Sequence, residues 1–303
     1  MQELLTRLFP LASINATQEP TLTVSELSGL KGDGTLNDLR IALKAVDTQC
    51  RKLNRIVSSA RLAIKCLGVL PEGAVFRPEG RPFSRYTGLS IVGGISGVVY
   101  KPASIDNLTV RTPYEAGHWL TPEAKILGHE FGHLLNLNHG ACGNTRSVDS
   151  RLAADGLMHG EGWDRTRNLY FSSDAGDNDT FSDLMSYCDK GWMSVPGYQA
   201  SLRYRAGTGS SARLQGDIPR WVEIDMTGGR WRVRASTFTP GRLGSSKLTA
   251  RAGERVVPVF SAVFSEGDGD LYGPWYAEIG GVVGNVLQLE APGQSAVTLV
   301  LPP

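Results

Sequence analysis

Apolar residues recur at three- and four-residue steps through Leu36, Leu39, Leu43, Val46, Cys50 and Leu53. That period puts them on one face of an amphipathic helix over 36–53, with Thr35 as its N-cap after the Gly32-Asp33-Gly34 turn. A helix of this kind is expected to back a sheet. The β-branched run "ASINATQEPTLTV" (12–24) predicts a strand before it, and "GAVF" (73–76) and "GLSIVGGISGVVYKP" (88–102) predict glycine-punctuated strands after it. "TPEAKILGHEFGHLL" (121–135) is helical again, opened by Thr121 as cap and Pro122 at the first helical position. The glycine- and aspartate-rich stretch 140–182 is too irregular for regular elements, and "VPGYQASLRYRA" (195–206) predicts a short closing helix.

Beyond "AGTGSSAR" the texture is all β. "WVEIDM", "WRVRAS", "KLTA", "RVVPVFSAVF", "WYAEI", "VLQLEA" and "AVTLVL" predict seven strands parted by Gly-, Pro- or Asp-rich turns, the pattern of a small Ig-like β-sandwich. The chain therefore divides into an α+β domain over 1–205, a linker over 206–213 and a β-sandwich over 214–303. The first domain combines a mixed twisted sheet, a long backing helix and the histidine-bearing helix.

With 41% apolar and 20% charged residues in a chain of 303, the composition is that of a globular protein able to bury a sizeable core. A formal net charge of +1 argues against a nucleic-acid or anionic-membrane partner, and no apolar run is long enough to span a bilayer. The first residues lack the pattern of a signal peptide. The four cysteines show no CxxC spacing, and buried thiols are the plain reading for Cys50 and Cys66, whose pairing the sequence leaves open.

"GHEFGHLLNLNHG" (128–140) concentrates the chemistry, holding three of the five histidines. On a helix, His129 and His133 lie one turn apart and share a face, so both imidazoles reach one metal ion. Glu130, one step round the helix, is placed to take a proton from a water that the metal has acidified. His139 comes six residues after His133. A continuous helix would carry it about 9 Å further along the axis, so the chain must break and fold back. Gly132 suits close packing against the helix.

These residues resemble the HExxHxxGxxH signature of the metzincin zinc endopeptidases, in which a third histidine returns to the zinc after a sharp turn. Asn136 stands where that family has glycine, and asparagine is the next most tolerant residue of the left-handed conformation the turn needs. "FSDLMSYCDKGW" (181–192) is similar to the family's methionine turn, with Met185 beneath the metal. Tyr187 takes the place of the tyrosine that, in the astacin-like and serralysin-like branches, ligates zinc and steadies the oxyanion. The segments "HGACG" (139–143) and "MSYC" (185–188) are closest to secreted bacterial metzincins.

The resemblance implies one catalytic Zn2+ on His129, His133 and His139, Glu130 as general base, and a Cys142–Cys188 disulfide stapling the 140–182 loop. It further implies a secreted monomer acting on protein or glycoprotein, with an extended substrate paired to an edge strand; "SGVVYKP" (96–102) is the candidate by position. Trp192 and Met193 are candidate pocket residues, with a core role preferred.

Other features add less. His118 and His159 read as surface or satisfied histidines. "SSDAGDNDT" (172–180) and "EGDGDLYG" (266–273) hint at Ca2+ but lack EF-hand spacing, so solvated loops are preferred. Trp221, Trp231 and Trp275 read as core strand residues, though the β-sandwich is also a candidate glycan- or protein-binding module. The competing function is a catalytically silent binding protein; an intact Glu130 argues against it.

Overall fold

The computed structural model describes residues 2–11, 13–27, 33–56, 64–71, 74–77, 86–100, 120, 122–142, 148–164, 169–172, 181–188, 191–209, 221–227, 230–235, 243–264, 274–279 and 286–301. The chain forms two compact units, one of residues 1–90 and 95–209, the other of residues 91–94 and 210–303.

The first unit is mixed α and β. Helix α1 spans Gln2–Leu8, α2 Leu36–Ile56, α3 Pro122–Leu134 and α4 Val195–Gly209. At the start of α2 the Thr35 hydroxyl accepts from the Asp38 N–H at 3.3 Å, and the Asp38 carboxylate accepts from the Thr35 N–H at 2.7 Å. This reciprocal cap satisfies two backbone donors at once. A three-stranded sheet runs in the order Cys66–Leu70, Ser96–Tyr100, Gly88–Ser90; the central strand is parallel to the first and antiparallel to the last.

Because side chains alternate along a strand, the central strand serves both faces. Ser96 donates to the Asp47 carboxylate of α2 at 2.6 Å, and Asp47 also accepts from Arg51 at 2.5 Å. Val99, on the opposite face, packs into the core that α1, α3 and α4 share. Helix α2 thus covers one face of the sheet and α3 the other. Helix α1 supplies Leu4, Leu5 and Leu8 to that core, alongside Leu184, Met185 and Trp192. No described helix is long and apolar enough to cross a membrane.

Several expectations need correction. The strand expected over 12–24 is absent: residues 13–24 form no ladder and are mostly exposed. β-Branched content without a burying partner does not make a strand. Strand Cys66–Leu70 has no mark in the sequence, because its short apolar run carries no alternation. The 96–100 segment is the flanked centre of the sheet rather than its edge, and among the described residues the outer strand on that side is Gly88–Ser90. Residues 101–102 lie outside the described residues, as do Thr121 and His118.

The stretch 140–182 contains two paired strands, Glu161–Asp164 and Leu169–Ser172, where no regular element was expected. Trp192 and Met193 are buried core residues, and His159 is exposed against Asp155 at 2.6 Å. Most of the first candidate calcium loop and all of the second lie outside the described residues. Helix α4 continues through Gly209, so the first part of the expected 206–213 linker is helical.

The second unit holds two antiparallel sheets. Five strands (Trp221–Thr227, Arg230–Ala235, Leu243–Ser245, Val259–Ala262 and Trp275–Glu278) form one, and four (Thr249–Ala252, Arg255–Val257, Val286–Glu290 and Val297–Val300) form the other. Val222, Ile224 and Trp275 from the first meet Ala250, Leu287 and Leu289 from the second in one apolar cluster. The single strand expected over 255–264 is two strands in different sheets. Pro258, which has no N–H to give to a ladder, stands where the chain crosses between them. Trp275 is core, while Trp221 and Trp231 are half-buried.

All four cysteines are bonded, Cys50 to Cys66 and Cys142 to Cys188, with Cα–Cα separations of 5.8 and 5.7 Å. The plain reading of Cys50 and Cys66 as thiols is therefore overturned. Over sequence separations of 16 and 46 residues, loop-closure entropy gives these bonds about 3 and about 4 kcal/mol respectively. Denatured without reductant, the protein is expected to show no reactive thiol; after reduction, a thiol assay should find all four.

Candidate metal centre

Helix α3 carries His129 and His133 on one face, and the residues just beyond its end decide whether a third ligand joins them. Asn136 has φ of 66°, the only positive value at a non-glycine among the described residues. Around it the Leu137 N–H reaches the Gly132 carbonyl at 3.1 Å and the Asn136 N–H reaches the His133 carbonyl at 2.9 Å. These two crossed bonds form a Schellman stop, the commonest way to end a helix on a left-handed residue. Arg151 donates to the Asn136 carbonyl at 2.5 Å. The Asp149 carboxylate accepts from the Asn138 N–H at 2.9 Å and from Arg151. Burial works to raise the Asp149 carboxyl, but these hydrogen bonds, chiefly from Arg151, outweigh it and hold it below its ordinary range.

The return brings His139 back to the helix. The ligand nitrogens of His129, His133 and His139 lie within 4.8 Å of one another, and all three residues are buried. His129 Nδ1 donates to the Leu184 carbonyl at 3.1 Å and His133 Nδ1 to the Leu137 carbonyl at 2.8 Å. Both bonds fix the tautomer with the proton on Nδ1 and leave Nε2 as the donor atom for a metal. His133 Nε2 is fully buried with no hydrogen-bond partner. Burying a lone pair this way is costly unless something electrophilic meets it.

Burial drives the imidazole pKa of His129 down to about 3 and that of His139 to about 4, and holds His133 well below its ordinary value. Three neutral imidazoles are therefore available at neutral pH. Such a donor set suits zinc, copper, iron or nickel better than magnesium or calcium.

Glu130 is 3% exposed beside the histidines. Ser90, at the sheet's last strand, donates to Glu130 Oε2 at 2.6 Å. Gly88 lies so close that a Cβ there would overlap Oε1. One carboxylate oxygen is thus held by a hydroxyl, and the strand backbone at Gly88 packs against the other.

Beneath the helix, Met185 is fully buried. A Cβ on Gly132 would overlap its sulfur, so only glycine admits this contact. The Met185 turn is pinned by the Asp183 carboxylate, which accepts from the Met185 N–H at 2.7 Å, and by the Gly140 N–H, which donates to the Met185 carbonyl at 2.8 Å. Burial raises the Asp183 carboxyl above its ordinary range despite hydrogen bonds from Ser194 and Met185.

Tyr187 is 44% exposed, with its hydroxyl 2.9 Å from His139 Nε2 and its ring stacked on His129. The Cys142–Cys188 bond joins the return to this turn, the Tyr187 N–H donates to the Cys142 carbonyl at 3.1 Å, and Lys125 of α3 donates to the Cys188 carbonyl. No protein-family model, curated protein or solved structure matches the chain. The chemistry of the centre therefore rests on its own geometry.

Every residue singled out around His129 is thus in one place: His133, His139, Glu130, Met185, Tyr187, Cys142 and Cys188. Ser90, Asp149, Arg151 and Asp183 also bear on it and were not foreseen. Their partners lie far along the chain or act on backbone, and no spacing rule links them to a histidine motif.

Asn136→Gly is expected to keep or slightly raise stability and metal affinity, whereas Asn136→Ala should cost about 1 kcal/mol for its left-handed backbone, read by denaturant unfolding. In the metal-free protein the folded-state histidine pKa values lie below the unfolded 6.5. Their contribution is fully present above pH 6.5 and is lost as pH falls through about 4 for His139 and about 3 for His129. Each buried histidine adds up to about 1.4 kcal/mol per pH unit to that slope, and unfolding measured across this range should show the steepening.

Proposed function

We propose that the chain is a zinc-dependent endopeptidase of metzincin type, acting on extracellular protein. The reading is carried by His133 Nε2, a buried and unpartnered donor atom that converges with His129 and His139. Glu130 beside this cluster and the methionine turn below it support the reading. Two disulfides are compatible with an oxidising compartment.

Bound there, zinc would supply Lewis-acid polarisation of the scissile carbonyl and lower the pKa of water to around 7. The three imidazoles would hold the ion, His129 and His133 through Nε2. Glu130 is the proton acceptor: with its carboxylate oriented by the Ser90 hydroxyl at Oε2, it takes a proton from water and later gives it to the leaving amine. The Tyr187 hydroxyl, beside His139 on a partly exposed residue, would donate a hydrogen bond to the substrate carbonyl oxygen as negative charge develops there. An extended substrate would lie along the sheet's last strand, Gly88–Ser90, next to Glu130.

The test pairs metal analysis with digestion of a mixed protein substrate. Wild type is expected to hold about one equivalent of zinc and to cleave. Glu130→Ala should retain the zinc and lose about 10²- to 10⁴-fold in rate. Bound zinc with no cleavage by either protein would instead favour a silent binding protein. Tyr187→Phe is expected to lower kcat with KM little changed, because its hydrogen bond strengthens only as charge develops.

A further inference from the structure

The last carbonyls of a helix have no partner within it, and in α3 three of the final four are met by the local chain. The Leu135 N–H bonds the Phe131 and Gly132 carbonyls, the Leu137 N–H adds a second bond to Gly132, and the Asn136 N–H takes His133. The fourth, Leu134, comes immediately after a metal-binding histidine and immediately before the stop. Its carbonyl accepts from the Nζ of Lys65 at 3.0 Å, from a residue 69 positions earlier in the chain.

Lys65 does not reach this point by chance of surface geometry. Its segment is fixed on both sides by α2. Asn54 donates to the Ile64 carbonyl at 3.1 Å and accepts from the Ile64 N–H at 2.8 Å, while Cys66 is bonded to Cys50. Nζ also lies 3.5 Å from the Tyr204 hydroxyl of α4 and 5.2 Å from the centre of its ring. The ammonium is buried among these groups, which pushes its pKa down to about 8. A cation at a helix C-terminus is stabilised by the helix dipole, and here it is held by covalent and bidentate supports.

We propose that Lys65, held by the Asn54 bracket and the Cys50–Cys66 disulfide, is a positioning residue for the metal centre. It locks the carbonyl end of α3 so that the stop at Asn136 delivers His139 to the ion held by His129 and His133. Lys65 touches no ligand; it acts through the Leu134 carbonyl and the turn just beyond it. The inference rests on the metal-centre part of the proposed function, and not on peptidase activity.

The experiment measures zinc affinity of the full chain by competition with a chromophoric chelator, in a mutant cycle with the third ligand. Lys65→Met is expected to weaken zinc about tenfold where His139 is present, as outer supports of metal ligands do. It should change nothing in the His139→Ala background, because the ligand it positions is gone. The cobalt-loaded visible spectrum of Lys65→Met should shift toward that of His139→Ala.

Equal weakening in both backgrounds marks a general structural role and overturns the proposal, as does wild-type affinity in Lys65→Met. Should Lys65→Met not fold, Asn54→Ala, which frees Ile64 while keeping the lysine, is put through the same cycle with the same outcomes decisive. Wild type that takes up no zinc overturns the metal centre along with this inference. Zinc uptake without proteolysis would count against the peptidase reading alone.

Discussion

Two imidazoles four residues apart on a helix face one point, but a third six residues later does so only if the chain leaves the helix axis within a single turn. At Asn136 it does, with φ of 66° and the two crossed hydrogen bonds of a Schellman stop. Nearly everything else around the centre can be understood as holding that reversal in place. Arg151 takes the Asn136 carbonyl, Asp149 takes the Asn138 N–H, and Lys65 takes the carbonyl just before the turn. A residue in the left-handed region costs about 1–2 kcal/mol when it is not glycine, so a turn built on asparagine gains from such external supports.

The second constraint is close approach. Gly132 lets the Met185 sulfur lie directly against α3, and Gly88 lets the last strand lie directly against Glu130. Each contact depends on a glycine where any side chain would hold the two segments apart. The methionine turn then sets the tautomer of His129 through the Leu184 carbonyl, and the turn after α3 sets that of His133 through the Leu137 carbonyl. The same packing that buries the three histidines therefore orients the imidazoles of His129 and His133.

Two disulfides act at opposite ends of this arrangement. Cys142–Cys188 joins the segment just after His139 to the segment just after Tyr187, while Cys50–Cys66 secures the strand entrance from which Lys65 extends. One was implied by a family likeness. The other was invisible because the apolar spacing that marks Cys50 as a helix-face residue is equally satisfied by a buried thiol.

The sequence by itself determined the local features: the face shared by His129 and His133, the necessity of a break before His139, the tolerance of Asn136 for that break, the cap at Thr35, and the β texture of the C-terminal third. Each is a matter of period, of reach or of one residue's backbone preference. Tertiary structure decided the rest. It put the 96–100 strand at the sheet's centre, split the strand expected over 255–264 at Pro258, left 13–24 without a ladder, and placed Ser90, Asp183, Asp149 and Lys65 around the centre. Strand order and long-range polar contacts depend on which surfaces meet after collapse, and residues 40 or 69 positions apart leave no periodic mark on the chain that joins them.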